Sequence, residues 1–264
     1  MDAQLLDSAV DQTREVARWV EGADPGAPVP TCPEWTLADL VGHIGSTQRW
    51  VDRLVVEKVA DPAAAFSLGW EEAPADASQW PAWLVEGADR TRASFAAATG
   101  GADVFDPSGG GDGLAFWSRR LFGEAAVHRI DAAATLGLDY HLDPDLAVAA
   151  IEDWLGTIAS SGWAQHVPGF TEAVRGDGQT LAWVAVDTGT AWLLRRTDAP
   201  LVLTSGRHLA REAETATVTI SGPACELLQV VSRRLPVDAA RSCTVVGDRA
   251  ELDHLVDHMD WVGA

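Results

Sequence analysis

The run Leu114-Ala-Phe-Trp-Ser-Arg-Arg-Leu-Phe-Gly-Glu-Ala-Ala-Val-His-Arg-Ile-Asp131 constrains this chain more than any other stretch. Leu114, Trp117, Leu121, Glu124, His128 and Asp131 recur at alternating spacings of three and four. That is the seam of a helix packed against other helices. The first half of the seam is apolar, and the second half is Glu, His and Asp. Ionisable groups in a helical core are costly unless each is paired or bound to a metal. The pattern therefore predicts a bundle helix built to hold something.

A second stretch, Cys32-Pro-Glu-Trp-Thr-Leu-Ala-Asp-Leu-Val-Gly-His-Ile-Gly, adds to it. Thr36 followed by Asp39 resembles a capping box, so a helix is expected from Leu37. Leu40, Ile44 and Thr47 share a face with His43 there. His43, Glu124 and His128 together offer two imidazoles and one carboxylate. Three protein ligands with one open position make a catalytic divalent site, most often zinc. An i, i+4 pair puts two ligands on one helix face, and a facing helix supplies the third. On the residues alone, hydrogen-bonded core histidines account for the pattern equally well, and both readings stand.

The 264 residues, 47% hydrophobic, suffice for two modest domains or one large one. No apolar run is long enough to span a membrane. Met1-Asp2-Ala3-Gln4 leads directly into an amphipathic pattern, with no secretory signal expected. Cys32, Cys225 and Cys243 are too few and too widely spaced for a disulfide framework, so a cytoplasmic location is expected. The net charge of −20 argues against nucleic acid and anionic membrane surfaces as partners. A local arginine cluster can still receive an anionic small molecule. Lys58 is the only lysine and asparagine is absent, a composition typical of GC-rich genomes.

Four helical segments fill the first half, at about 3–20, 37–59, 80–98 and 114–137. Pro- and Gly-rich connections separate them, and the pattern suggests a four-helix bundle. Gly109-Gly-Gly-Asp-Gly113 lacks the preceding strand and following Gly-Lys-Ser/Thr of a phosphate loop and reads as a connection. After His141 the character changes. Asp143-Pro144 starts a helix to about Ser160. A hairpin is expected from Leu181–Asp187 and Thr190–Arg196, with strands at Thr215–Ile220 and Ser242–Val246. Helices are expected from Pro223 to Arg233 and from Asp248 to Trp261. The expected division is 1–140, a helical bundle, and 141–264, a smaller α+β domain.

At this point the chain resembles the mycothiol-dependent maleylpyruvate isomerase family. Val29-Pro-Thr-Cys-Pro-Glu-Trp-Thr-Leu-Ala-Asp-Leu-Val-Gly-His43 is similar to its first block. Phe122-Gly-Glu-Ala-Ala-Val-His-Arg-Ile-Asp-Ala132 is similar to its second. The resemblance implies a DinB-like four-helix bundle followed by a sterol-carrier-like α+β domain. The latter resemblance rests on Val186-Asp-Thr-Gly and Val218-Thr-Ile-Ser-Gly-Pro-Ala. It further implies that His43, Glu124 and His128 bind a divalent metal, usually zinc, and that the open position receives the thiol of mycothiol. The implied activity is transfer of that thiol to an electrophile, or cis–trans isomerisation of a maleylpyruvate-like enone acid. A non-catalytic metal- and ligand-binding protein and a zinc-water hydrolase are the competing readings.

Asp131 is the candidate catalytic residue, able to orient an imidazole or accept from a substrate group. An ion pair with Arg129 or Arg120 is its structural alternative. Arg49, Arg53, Arg119 and Arg120 flank the ligand candidates and read as solvated helix-face charges. Cys32 belongs to a structural turn, and Cys225 and Cys243 read as small packed side chains. Of the twelve tryptophans, Trp35, Trp50, Trp117 and Trp154 fall at core-like spacing. His141, His166, His208, His254 and His258 have no ligand spacing with the core set. The pair His254 and His258 is expected at the surface.

Overall fold

The computed structural model describes residues 2–160, 162, 169–198 and 201–259 of the chain. The chain divides into two compact units, 1–140 and 141–264.

The first unit contains α1 (Ala3–Trp19), α2 (Leu37–Val56), a short α3 (Pro62–Ser67), α4 (Trp80–Ala97) and α5 (Gly113–Leu136). The long helices α1, α2 and α5 start where a side chain satisfies their free amides, whereas α4 starts at Trp80-Pro81 without a side-chain cap. Asp2 accepts from Gln4 and Leu5 at 3.1 Å each. The Thr36–Asp39 box closes in both directions, at 3.3 and 2.8 Å. Asp112 accepts from Ala115 at 2.9 Å. Gly137 then ends α5 in the left-handed region (φ 66°), a conformation that needs no Cβ.

Packing closes these four helices into a ring. α1 lies against α4 and α5, and α2 lies against the same two. Val16, Val20, Leu37, Leu40, Val41 and Leu84 form part of its core. Each such side chain contributes about 1.5–3 kcal/mol by leaving water. Helices α2 and α4 approach so closely at Gly45 that a Cβ there would sit 2.0 Å from Trp83. α5 is buried on most of its circumference, with Phe122 and Ala126 as inaccessible as the seam.

Two local differences from the expected pattern have clear causes. α2 stops at Val56, short of Val59, because Lys58 turns left-handed (φ 53°) and Val59 bonds back to Leu54 at 3.0 Å. α3 lies in a segment expected as loop. Asp61 caps it by accepting from Ala64, and Pro62 occupies its first position.

The second unit opens with α6 (Pro144–Ala159). Its five strands are β1 (Thr180–Ala185), β2 (Thr190–Arg195), β3 (Val202–Gly206), β4 (Val218–Gly222) and β5 (Thr244–Gly247). They run in the order β3-β2-β1-β4-β5, with β1 and β4 parallel and the other pairs antiparallel. The expected hairpin is present, with Trp183 opposite Trp192. Its turn has a structural role: both carboxylate oxygens of Asp187 accept from Ala224 at 3.1 Å, capping the helix Ala224–Val231. β3 is an additional edge strand, and short helices at Phe170–Ala173 and Ala210–Glu214 are also additional. Strand β4 begins later than Thr215, whose hydroxyl bonds back to Glu212 at 3.2 Å and ends the preceding helix. The last helix spans Arg249–Asp257, and the expected terminus at Trp261 lies outside the described residues. The unit is thus a small mixed α+β domain. Among the described residues no helix is long and apolar enough to cross a membrane.

Candidate metal centre

Helices α2 and α5 bring His43, Glu124 and His128 together. One potential ligand atom from each residue lies within 4.8 Å of the others. Glu124 Oε2 sits 3.3 Å from His43 Nε2 and 3.1 Å from His128 Nε2. The three residues line a small cavity of about 10 Å³, whose other walls include Ile44, Thr47 and Leu121.

Each of the three is held from behind. Asp131 Oδ2 lies 2.8 Å from His128 Nδ1. A carboxylate can only accept, so Nδ1 carries the hydrogen and Nε2 is turned toward the cavity. Arg120 donates to Glu124 Oε1, at 2.9 Å from Nε and more closely from a terminal nitrogen. The other carboxylate oxygen, Oε2, faces the two imidazoles. Trp35 covers both rings, with centroids 5.0 Å from His43 and 5.8 Å from His128.

The loop before α2 makes these placements possible. Trp35 N bonds to Cys32 O at 2.8 Å across a turn that contains Pro33, and Val29 N bonds to Trp35 O at 2.9 Å. That fold brings Thr31 to Asp131, where its hydroxyl donates to Oδ1 at 2.6 Å. Cys32 Sγ lies 3.9 Å from Oδ2 of the same residue.

Electrostatics divide the two histidines. Burial disfavours charge throughout the cluster. At Glu124 it is outweighed by the Arg120 guanidinium and the two imidazoles, which hold the carboxyl well below the usual range. At His128 burial is outweighed by Asp131 and Glu124, and its pKa is raised. At His43 burial prevails over the Glu124 hydrogen bond, and its pKa is lowered. Two imidazole nitrogens and one carboxylate oxygen around an ion-sized cavity, with a carboxylate behind one histidine, have the donor chemistry of a zinc site.

Asp131 has no exposed surface, and its two oxygens face neighbours within the fold, Oδ2 at His128 and Oδ1 at Thr31. Two of the four flanking arginines, Arg49 and Arg120, differ from the expected solvated charges. Arg49 is buried. It donates to the Trp83 carbonyl at 2.7 Å, pairs with Glu71 and Glu86, and stacks 4.1 Å over the Trp83 ring. Arg120 is buried against Glu124. Arg53 bonds to Glu57 at 2.8 Å, and Arg119 is exposed. Trp50, Trp117 and Trp154 are buried as expected, whereas Trp35 is only half-buried. His254 and His258 are half-buried rather than surface residues. His254 contacts the Ala173 carbonyl and His258 the His254 carbonyl, each at 2.7 Å. His166 lies outside the described residues.

A wider groove of roughly 560 Å³ adjoins the centre through His43. Trp35, Gly42, Ser46, Glu72 and Trp80 are among its walls. Among the described residues, no Arg or Lys lines either this groove or the small cavity.

Comparison with known proteins agrees with the architecture. Residues 6–133 match the family described as mycothiol maleylpyruvate isomerase N-terminal domain. The crystal structure of the mycothiol-dependent maleylpyruvate isomerase matches at 13% identity and TM-score 0.54, covering 93% of each chain. A histidine-to-alanine variant of that enzyme matches at the same identity and TM-score, covering 92% of this chain and 90% of the other. At these identities the likeness establishes the fold, helical unit and mixed-sheet unit together. No curated protein sequence matches the chain.

Proposed function

We propose that this protein is an enzyme that binds a divalent metal, zinc in the first instance, through His43, Glu124 and His128 and activates a low-molecular-weight thiol, mycothiol. The observation behind this reading is the convergence of three donor atoms on one ion-sized cavity, within the stretch 6–133 that matches the mycothiol maleylpyruvate isomerase N-terminal domain model. A thiol with a pKa near ~8.5 is mostly protonated at neutral pH, and coordination to a divalent ion supplies the thiolate.

The chain's own residues prepare that chemistry. Asp131 fixes the His128 tautomer, and Arg120 fixes the Glu124 carboxylate with one oxygen toward the centre. Trp35 covers both imidazoles, limiting water on that side. The groove leads a small-molecule electrophile to His43.

Thiol transfer to an electrophile is the preferred reaction. The specific support is the absence of Arg and Lys from the cavity and groove linings, which leaves a dicarboxylic substrate without a cationic partner among the described lining residues of this unit. Thiol-assisted cis–trans isomerisation of an enone acid is the second reading, supported by the whole-chain likeness to the isomerase.

Consumption of mycothiol by zinc-loaded protein, with a panel of neutral electrophiles and a maleylpyruvate-like acid, tests the proposal. Thiol loss that requires the electrophile and disappears in His128→Ala supports transfer. Conversion of the acid with thiol recovered supports isomerisation. Turnover without thiol would point to a hydrolase using metal-activated water, and saturable binding without turnover to a binding protein; either would overturn the thiol reading.

A further inference from the structure

Thr47 stands one turn after His43 on α2 and lines the same small cavity. The residue is 8% exposed, and its hydroxyl oxygen is buried without a hydrogen-bond partner. This differs from the other buried or half-buried helical threonines of the unit. A threonine within a helix ordinarily returns its hydroxyl to the carbonyl four residues back. Thr13 does so to Ala9 at 3.0 Å, Thr91 to Gly87 at 2.9 Å and Thr135 to Asp131 at 2.8 Å. Thr47 makes no such bond to His43.

An orphaned buried hydroxyl is destabilising, and valine would fill the same volume without that cost. Ile44, Leu121 and Ala125, which share the cavity wall, show that apolar side chains are accommodated there. The neighbouring Gln48 spends its Nε2 on Thr13 at 2.7 Å, and its Oε1, also buried without a hydrogen-bond partner, is an acceptor that cannot donate to a thiolate. The hydroxyl of Thr47 thus remains as a neutral donor beside the three potential metal ligands.

We propose that Thr47 is a positioning residue for the thiol, its hydroxyl donating a hydrogen bond to the thiol sulfur when that sulfur binds beside the His43, Glu124 and His128 cluster. This inference rests on the thiol-activation reading above. A thiolate bears its charge on one atom attached to a methylene, which matches a cavity with apolar walls and one added donor. Such a bond would satisfy the one cavity-lining hydroxyl that has no hydrogen-bond partner among the described residues.

Calorimetric titration of mycothiol into zinc-loaded and metal-stripped protein tests this, using wild type, Thr47→Val, Thr47→Ala and Thr47→Ser. The expected result is unchanged zinc content in all variants and about tenfold weaker thiol binding in Thr47→Val and Thr47→Ala. Thr47→Ser restores binding to within about threefold of wild type. Thr47→Val also melts at a higher temperature than wild type without thiol, the reverse of what a merely structural threonine would give. Wild-type affinity in Thr47→Val or Thr47→Ala overturns the role of Thr47 alone. Failure of zinc-loaded wild type to bind the thiol overturns both the inference and the reading beneath it.

Discussion

Asp131 Oδ2 lies 2.8 Å from Nδ1 of His128, and no part of Asp131 reaches solvent. The contact fixes which imidazole nitrogen faces Glu124 and His43. Sequence spacing alone placed the two residues on one helix; the orientation of the ring follows only from the folded geometry.

Replacing Asp131 by Asn removes the charge and leaves the side chain nearly the same size. Zinc affinity is expected to fall about 10–100-fold, the usual effect of losing a carboxylate behind a ligating histidine. Competition with a fluorescent chelator measures it. Unchanged affinity would mean that Asp131 serves folding alone.

Protons should leave when metal enters. The His128 pKa is raised above 6.5, so below its folded pKa the ring holds a proton that a metal must displace. Affinity should weaken as pH falls, beginning at a higher pH than an ordinary histidine would give. The linkage sign for the metal-free fold is opposite. A raised His128 pKa contributes stability that is complete below 6.5 and lost as pH rises through the folded value. Glu124, with its lowered pKa, contributes stability above 4.5 that is lost as pH falls through its folded value. His43, lowered from 6.5, also loses stability as pH falls from 6.5 toward its folded pKa, partly opposing His128. Calorimetry of zinc binding in buffers of different ionisation enthalpy counts the released protons, and Asp131→Asn should shift that release to lower pH.

Metal removal should lower the melting temperature without unfolding the helical unit. Its core includes the apolar side chains of Val16, Leu37, Leu40, Val41 and Leu84, whose burial drives folding with or without an ion. Free zinc at a thousand times its Kd adds about 4 kcal/mol to the stability of the native state. Thermal scans with and without chelator, followed by far-ultraviolet circular dichroism, check both parts. Loss of helical signal on chelation at room temperature would contradict this.

Thiol reagents should discriminate among the cysteines of the native protein. Cys32 is buried, and burial together with Glu226 pushes the Cys243 thiol up to about 12. Both are expected to react with a disulfide reagent at pH 8 far more slowly than in denaturant. Mass spectrometry of partly labelled protein identifies the order.

Arg49→Ala should destabilise the bundle by about 3 kcal/mol, through lost packing on Trp83 and lost hydrogen bonds in a buried position. Urea titration measures the change. Its zinc content should remain that of wild type.

The ligand candidates were legible because the rule they break is strong. An apolar seam that turns to Glu and His demands a partner, whether a proton, a side chain or a metal. Helix starts were legible where Asp or Thr stands before Leu or Pro, as at Thr36 and Asp143. The same signal at Asp61-Pro62 marks α3, which is too short to show periodicity. Edge strand β3 was not legible, since its Thr204, Ser205 and Gly206 lack an alternating apolar face. The burial of Arg49 depends on Glu71, Glu86 and Trp83, which no spacing rule connects to it. Trp35 looked like core because a loop tryptophan gives no local sign of the two imidazoles it covers.

The central claim is a metal bound by His43, Glu124 and His128, and elemental mass spectrometry of purified protein tests it most directly. The account predicts about one zinc per chain in wild type and loss of that metal in both His43→Ala and His128→Ala, with all three proteins equally folded by circular dichroism. Absence of metal from reconstituted wild type, or its retention in both variants, would contradict the account.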